Sequence, residues 1–189
     1  PQPDGSTHYI TLRITHILGE SASEVGLAED MTTTVLEQQR IEHERDYDTL
    51  TGLYRRRAFD RACDALFQQP EKLGCAALLM MDLDNLKQIN DTYGHDWGDQ
   101  YIRQTGQCFA ANTPASTICS RLSGDEFLIF FYGYQDQAQL RAQLELLSAA
   151  LQRSVSILPN GKQLHISISG GIAWYPTDGH DLLLSLIHI

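Results

Sequence analysis

The segment that most constrains the fold is the run CAALLMM at residues 75–81, which is apolar at every position and ends directly in Asp82. A strand is apolar throughout only when both of its faces are covered. The run therefore predicts a central strand with helices on both sides of its sheet. Carboxylates at the end of such a strand, here Asp82 and Asp84, lie where open sheets bind ligands, and their hard oxygens suit magnesium. An alternative is that an acid in this place caps the next helix.

Segments with helical and strand-like patterns alternate on either side of this run. Helical spacing of apolar residues predicts helices over 54–69, 86–91, 99–111 and 136–153. Apolar stretches predict strands over 117–122, 127–134 and 163–175. This order predicts an α/β or α+β fold with a central mixed sheet.

The first part of the chain has a different pattern. Residues 1–31 alternate in a strand-like way and predict a hairpin, whereas residues 32–47 lack Gly and Pro and predict a helix. Thr34 and Glu37 have the spacing of a capping box at its start. The apolar positions of this helix are sparse, so two alternatives stay open: a connector that pairs with its own copy, or a solvated helix. A larger domain is expected over 48–189.

Charge and cysteine content limit the partners. The formal net charge is -10, which disfavours nucleic acid and anionic membrane surfaces as partners for the whole chain. The four cysteines form no C-x-x-C pair, so we expect neither a zinc site nor a disulfide framework and place the protein in the cytoplasm. The sequence has no apolar run long enough to span a membrane, and direct membrane contact is not expected.

A polar turn, Ser123 to Glu126, separates two of the predicted strands and predicts a hairpin with a tight tip. Adjacent acids at such a tip are most often exposed turn residues. If the flanking strands are buried, however, Asp125 is held close to Asp82 on a neighbouring strand. Two carboxylates that converge on one metal ion would form a phosphoryl-transfer site.

A second polar group surrounds the predicted helix 86–91. Lys87, Asn90 and Asp99 are its polar members, and an amide together with a carboxylate can bind the edge of guanine. The alternative is that Asp91 and Asp99 only cap helices.

Four segments together resemble, in order and spacing, the successive motifs of the GGDEF domain of bacterial diguanylate cyclases. They are DYDTLTGLYRRRAF, MMDLDNLKQINDTYGHDWGDQ, RLSGDEF and ISISGGIA, and the resemblance covers residues 46 to about 181. It implies a central mixed, mostly antiparallel sheet wrapped by helices, related to nucleotidyl cyclases and polymerase palms.

The resemblance also implies roles for single residues. Asp82 and Asp125 match the carboxylates that bind Mg²⁺ or Mn²⁺, and the Leu83 carbonyl matches a further ligand. Asp125 and Glu126 match the acidic pair of the catalytic turn, in which Glu126 supports the metal site. Gly124 matches a position at which the backbone approaches the nucleotide closely.

The substrate is implied in the same way. Asn90 and Asp99 match the residues that bind guanine, and Lys87 matches a basic residue near the phosphates. The backbone amides around Asn85 and Leu86 match the phosphate cradle. The implied reaction condenses two GTP molecules into cyclic di-GMP and pyrophosphate in a homodimer.

Two other functions stay open: a degenerate domain that binds GTP or a partner for regulation, and a cyclase that makes a mixed GMP-AMP dinucleotide. Retention of the acids favours an active cyclase over a degenerate domain. Asp99 suits guanine better than adenine, which favours cyclic di-GMP over the mixed dinucleotide.

The chain departs from the family pattern in three places. Residues 114–117 read PAST where many relatives have the Arg-x-x-Asp of a product-inhibition site, so feedback at that site is not expected. Ser123 stands where the motif has its first glycine, which predicts a modest effect. Beyond Asp181 the sequence LLLSLIHI replaces a helix that supplies a Lys and an Arg to the triphosphate, so we expect a truncated chain and a weak or inactive cyclase. At the other end, residues 1–31 resemble the last strands of a PAS sensor domain, and a generic hairpin is the alternative.

Overall fold

The computed structural model of the chain describes residues 7–17 and 23–178, which divide into two compact units at Arg45 and Asp46. The first unit contains β1 (Ile10–Ile17), β2 (Ser23–Asp30) and all but the last residue of α1 (Thr32–Asp46). The elements of the second unit are α2 (Arg56–Phe67), α3 (Pro70–Leu73), β3 (Cys75–Leu83), α4 (Leu86–Tyr93), α5 (His95–Asn112), β4 (Thr117–Ser123), β5 (Glu126–Tyr134), α6 (Gln137–Arg153), β6 (Val155–Ile157), β7 (Gln163–His165) and β8 (Ile168–Tyr175).

The first unit is a hairpin followed by a helix. Strands β1 and β2 are antiparallel, with Ile10 opposite Asp30. Helix α1 begins at Thr32, so the capping box predicted at Thr34 is placed wrongly. The Asp30 carboxylate accepts a hydrogen bond from the Thr32 amide at 2.8 Å, which caps the helix before Thr34 is reached.

Helix α1 has a polar surface in this unit. None of its residues is buried, and Arg40 pairs with Glu37 and Glu44 at 2.7 Å each. Such exposed pairs add little stability individually. Whether α1 pairs with a second copy of itself stays a prediction, as does the PAS origin of the hairpin.

The second unit is built on a four-stranded sheet in the order β4-β5-β3-β8, with antiparallel neighbours. An isolated parallel bridge joins Tyr54 to Ser120 at the outer edge of β4, so the pairing is mixed but mostly antiparallel, as predicted. Strand β3 has a hydrogen-bonded partner on each side. This is the central position that its continuous apolar run requires.

Alternate residues of β3 face two separate cores. Ala77 and Met81 pack with residues of α4, α5 and α6, whereas Ala76 and Leu78 pack with residues of α2 and α3. The period of two that is inherent in a strand produces this division. Both faces of the sheet are therefore covered by helices, as expected of a fully apolar strand.

Helix α5 begins at His95, four residues earlier than predicted, so the residues from His95 to Gly98 are helical despite the glycine among them. Gly94, at φ 88°, both ends α4 and precedes α5. The alternative that Asp91 and Asp99 are helix caps is wrong, since Asp91 lies within α4 and Asp99 within α5. Both side chains are left available for other contacts.

The single strand predicted over 163–175 is two strands in the structure. Strand β7 pairs with β6 in a separate two-stranded sheet, and β8 pairs with β3. The break is stabilised from outside the sheet. Ile166 donates its amide to the Ser154 carbonyl at 3.1 Å, and Ser167 donates its amide to the Tyr101 hydroxyl at 3.2 Å.

Candidate functional site

The acidic side chains meet at the end of β3 because of the strand register. Asp82 lies opposite Glu126 of β5 on one side and Ser169 of β8 on the other. One residue further, the Leu83 amide donates to the Asp125 carbonyl at 2.9 Å. Directly opposed residues of an antiparallel pair project from the same face of the sheet. Asp82 and Glu126 are therefore neighbours, with Asp125 at the adjoining turn.

The electrostatic environment of Asp82 is unfavourable to its own charge. Burial raises the pKa of Asp82 above its usual value, and the negative charges of Asp125, Glu126 and Asp84 raise it further. A divalent cation would offset this repulsion, and carboxylate oxygens are the ligands that magnesium prefers. The donor set thus fits Mg²⁺ or Mn²⁺ chemically.

The side chains alone do not form a closed metal cage. Among residues 7–17 and 23–178, no three His, Cys, Asp or Glu side chains are grouped closely enough to hold an ion. The set implied by the sequence is smaller, with two carboxylates and one backbone carbonyl. Magnesium in phosphate-transferring sites is commonly held by one or two carboxylates, with water and substrate phosphate completing the shell.

The turn between β4 and β5 is fixed by Arg121. Gly124 has φ 47°, a left-handed conformation that favours glycine. The guanidinium of Arg121 donates to the Gly124 carbonyl at 3.0 and 2.8 Å, and to the carboxylate of Asp48 at 3.2 Å. The side chains of Arg121 and Asp48 are only 13% and 17% exposed, so this ion pair is largely shielded from water.

Asp48 is in turn held by Thr51. The amide and hydroxyl of Thr51 donate to Asp48 at 2.9 and 2.8 Å. Burial alone would raise the pKa of Asp48, but the Thr51 hydrogen bonds and the charge of Arg121 outweigh it and lower the pKa. Sequence reasoning assigned no role to Asp48 or Arg121. The spacing of Asp48 and Thr51 is a local signal for the first contact, whereas nothing local indicates the contact with Arg121.

Asp84 connects the end of β3 to β8. Its carboxylate accepts hydrogen bonds from the hydroxyls of Ser167 at 2.6 Å and Ser169 at 2.8 Å. The alternative that Asp84 caps the next helix is wrong, because the N-cap of α4 is Asn85. The sequence placed Asp84 among the carboxylates at the strand end, but it did not predict these two partners, because both lie in the distant segment 163–175.

The start of α4 presents backbone amides next to the acids. Asn85 has φ 68° and makes no side-chain capping bond, and Leu86 is buried beneath the first turn. Lys87 is exposed. The first amides of a helix have no partner within the helix and attract anions. The predicted phosphate cradle thus lies directly after the acidic end of β3.

Asn90 and Asp99 lie on two successive helices that pack together. The side-chain oxygen Oδ1 of Asn90 is buried without a hydrogen-bond partner in the described part of the chain. It lies against Gly98, where an added Cβ would collide with it and would come within 2.9 Å of Asn90 Cγ. Asp99 is the next residue and is exposed. A ligand with hydrogen-bond donors would satisfy this pair.

An antiparallel sheet between two helical layers, with acids at the end of its central strand, defines a cyclase-type α+β domain. Residues 45–189 match the family described as "Diguanylate cyclase, GGDEF domain". The chain therefore belongs to the GGDEF family.

Curated relatives extend well beyond this chain. An uncharacterised membrane protein of Staphylococcus haemolyticus is 34% identical over 143 residues, which are 75% of this chain and 40% of that protein. A similarly named protein of Staphylococcus aureus strain USA300 is 33% identical over 141 residues, 74% of this chain and 39% of that protein. The chain thus spans about two fifths of their length. No helix among the described residues is both long and apolar enough to cross a membrane.

Solved structures share the fold. A sensory box/GGDEF family protein from Caulobacter crescentus is 28% identical with a TM-score of 0.65, covering 76% of this chain and 94% of that one. The GGDEF domain of DgcB from Caulobacter crescentus, in complex with c-di-GMP, is 25% identical with a TM-score of 0.60, covering 76% and 84%.

The ion pair at the turn gives a stability prediction. Arg121→Met should lower the free energy of unfolding by about 2 to 4 kcal/mol, because it leaves the shielded carboxylate of Asp48 and the Gly124 carbonyl without their donor. Arg56→Met is the matched control, since Arg56 pairs with Asp60 at an exposed position and its loss should cost about 0.5 kcal/mol or less. Urea denaturation of both variants measures the difference. Equal losses would contradict the role given to Arg121.

The raised pKa of Asp82 gives a second prediction. Its pKa is higher in the folded chain than the usual 3.8, so the ionised form destabilises the fold at neutral pH. Asp82→Asn should therefore increase the free energy of unfolding at neutral pH without divalent metal. The gain should vanish in acid, where Asp82 is neutral in both states. The exposed Asp91→Asn is the control, and a lower stability of Asp82→Asn at neutral pH would refute the expected repulsion.

Proposed function

We propose that this domain is a diguanylate cyclase, which condenses two molecules of GTP into cyclic di-GMP and releases two of pyrophosphate. The observation that carries the proposal is the strand register, which sets Asp82 opposite Glu126 with Asp125 at the adjoining turn, shortly before the first amides of α4. Acids for a metal ion and amides for phosphate are the two parts that phosphoryl transfer needs. Membership of the GGDEF family supports the same reaction.

In this proposal Asp82, Asp125 and the Leu83 carbonyl hold Mg²⁺ or Mn²⁺, and Glu126 supports the site. The ion supplies neutralisation of the charge on the triphosphate. The amides around Asn85 and Leu86 bind the phosphates, and exposed Lys87 adds a positive charge nearby. The 3′ oxygen of one GTP then forms a bond to the α-phosphorus of the other while the bond to the β-phosphate breaks.

Guanine is bound in this proposal by Asn90 and Asp99. A carboxylate accepts hydrogen bonds from the two adjacent donors of the guanine edge, and the side-chain amide of Asn90 contributes a further hydrogen bond. Adenine does not present the same pair of donors. The site would therefore favour GTP over ATP, which argues against a mixed dinucleotide as the main product.

The active form would be a homodimer. Each domain has one acidic strand end and one guanine site, so a single copy holds one of the two nucleotides. Two copies facing each other bring each 3′-hydroxyl to the α-phosphorus of the opposite GTP.

We assign residues 32–47 to the connecting helix, residues 1–31 to the end of a PAS-like sensor domain and residues 48–189 to the cyclase. The segment beyond Asp181, where the sequence predicts loss of a cationic helix, lies outside the described residues.

The direct test is incubation with GTP and Mg²⁺ of a tail-completed chain, in which the residues beyond Asp181 are replaced by the C-terminal helix of a GGDEF relative, with the product identified by mass. Asp125→Ala should lower the rate of cyclic di-GMP formation by about 100-fold or more, because it removes a metal ligand, and should leave the urea midpoint almost unchanged. Asp91→Ala, an exposed acid of α4, is the control. Unchanged turnover in Asp125→Ala would reject the metal role of this residue.

The rival function is a regulatory module that binds GTP without converting it. It requires the guanine site but not the metal ligands. Binding of GTP without cyclic di-GMP formation at any Mg²⁺ or Mn²⁺ concentration would favour the module over the enzyme.

The contact between Gly98 and Asn90 allows the guanine site to be tested separately. Gly98→Ala should displace the Asn90 amide and reduce the preference for GTP over ATP about tenfold, the loss expected for one hydrogen bond. Adding Asn90→Ala removes the collision, so the double variant should regain the stability lost in Gly98→Ala but not the preference. Competition binding and urea denaturation measure the two effects. Full GTP preference in Gly98→Ala would exclude the assignment.

A further inference from the structure

The hydroxyl of Ser123 is bonded to the carboxylate of Glu126 across the catalytic turn. Ser123 Oγ donates to Glu126 Oε2 at 2.9 Å. The same two residues are cross-strand partners in the β4–β5 register, where they close the turn formed by Gly124 and Asp125. Ser123 and Glu126 are thus joined through their backbones and through their side chains.

The hydrogen bond from Ser123 restrains the Glu126 side chain, which repulsion and conformational entropy would otherwise displace. Glu126 lies opposite Asp82, and like charges directly opposed across two strands repel each other. A glutamate side chain also has several rotatable bonds, and fixing it costs conformational entropy. A hydrogen bond from a hydroxyl to an ionised carboxylate opposes both effects, because such charge-assisted bonds are stronger than neutral ones.

We propose that Ser123 is a positioning residue, whose hydroxyl holds the Glu126 carboxylate in one arrangement beside Asp82 and so prepares the acidic cluster for a divalent cation with a bound triphosphate. This inference rests on the proposed function, since it concerns the same site. Mutation of a hydrogen-bond partner that orients an acidic group of a metal site typically lowers the metal affinity on the order of 10- to 100-fold.

Mn²⁺ binding tests the inference without turnover. The free-ion paramagnetic signal of Mn²⁺ is titrated with the full chain in the presence of a GTP analogue that cannot be cleaved between its α- and β-phosphates. Ser123→Ala and Ser123→Gly lack the hydroxyl, Ser123→Thr keeps it, and Ser148→Ala on the exposed side of α6 is the control. Urea denaturation of each variant separates loss of the metal site from loss of the fold.

The expected result is about tenfold weaker Mn²⁺ binding in Ser123→Ala and Ser123→Gly. Ser123→Thr and Ser148→Ala should bind like the starting protein. Equal Mn²⁺ affinity in all variants would overturn the inference, and so would a Ser123→Thr protein as weak as Ser123→Ala. A starting protein that does not bind Mn²⁺ would also overturn it.

GTP turnover separates this inference from the proposed function. Hydroxyl-dependent Mn²⁺ binding, together with a tail-completed chain that makes no cyclic di-GMP, would reject the cyclase proposal and leave the positioning role in place. Cyclic di-GMP formation, together with an Mn²⁺ affinity that is the same with and without the Ser123 hydroxyl, would reject the positioning role alone.

Discussion

Strand β3 is paired on both sides, and the position of each acid in the site depends on that pairing. Its register with β5 sets Asp82 against Glu126, and its register with β8 sets Asp82 against Ser169. A shift of the β3 register by one residue would point the Asp82 side chain into one of the two cores and would expose the apolar residues next to it. The two cores that cover β3 therefore also fix the geometry of the acids.

This arrangement assembles charges that repel one another. Burial and three neighbouring acids raise the pKa of Asp82, so the fold contains a site that is unfavourable without a counter-ion. Local conflict of this kind is common where a protein binds a ligand, because the surrounding structure holds it in place. Hydrogen bonds to the neighbouring acids reduce this repulsion: Ser167 and Ser169 donate to Asp84, and Ser123 donates to Glu126.

The sequence predicted the parts of the fold that local pattern determines. The apolar run 75–81 correctly predicted a covered central strand, and the segment Ser123–Glu126 correctly predicted a hairpin tip, because burial and turn chemistry act over a few residues. The prediction failed where distant residues decide the outcome. Helix α5 starts four residues earlier than predicted, in the segment where Gly98 packs against Asn90, and strand 163–175 is broken where Tyr101 bonds Ser167.

The same limit applies to the site. The resemblance named the acids and the pair Asn90 and Asp99, and the placement of each group follows from the strand register and from the packing of α4 on α5. Asp48 and Arg121 were missed, and so were the serine partners of Asp84, because the contacts of Asp48 with Arg121 and of Asp84 with the serines join distant parts of the chain. Their function is to hold other groups, and no composition or spacing of single segments encodes such long-range contacts.

The side chain of Arg121 links two separate segments of the domain by hydrogen bonds. One guanidinium holds the Gly124 carbonyl of the acidic turn and the Asp48 carboxylate, which lies just after the last residue of α1. Neither group can shift without weakening the hold on the other. A ligand that ordered the turn would therefore also order the segment Asp48–Thr51, and by thermodynamic reciprocity an event that rigidified this segment would favour binding of that ligand.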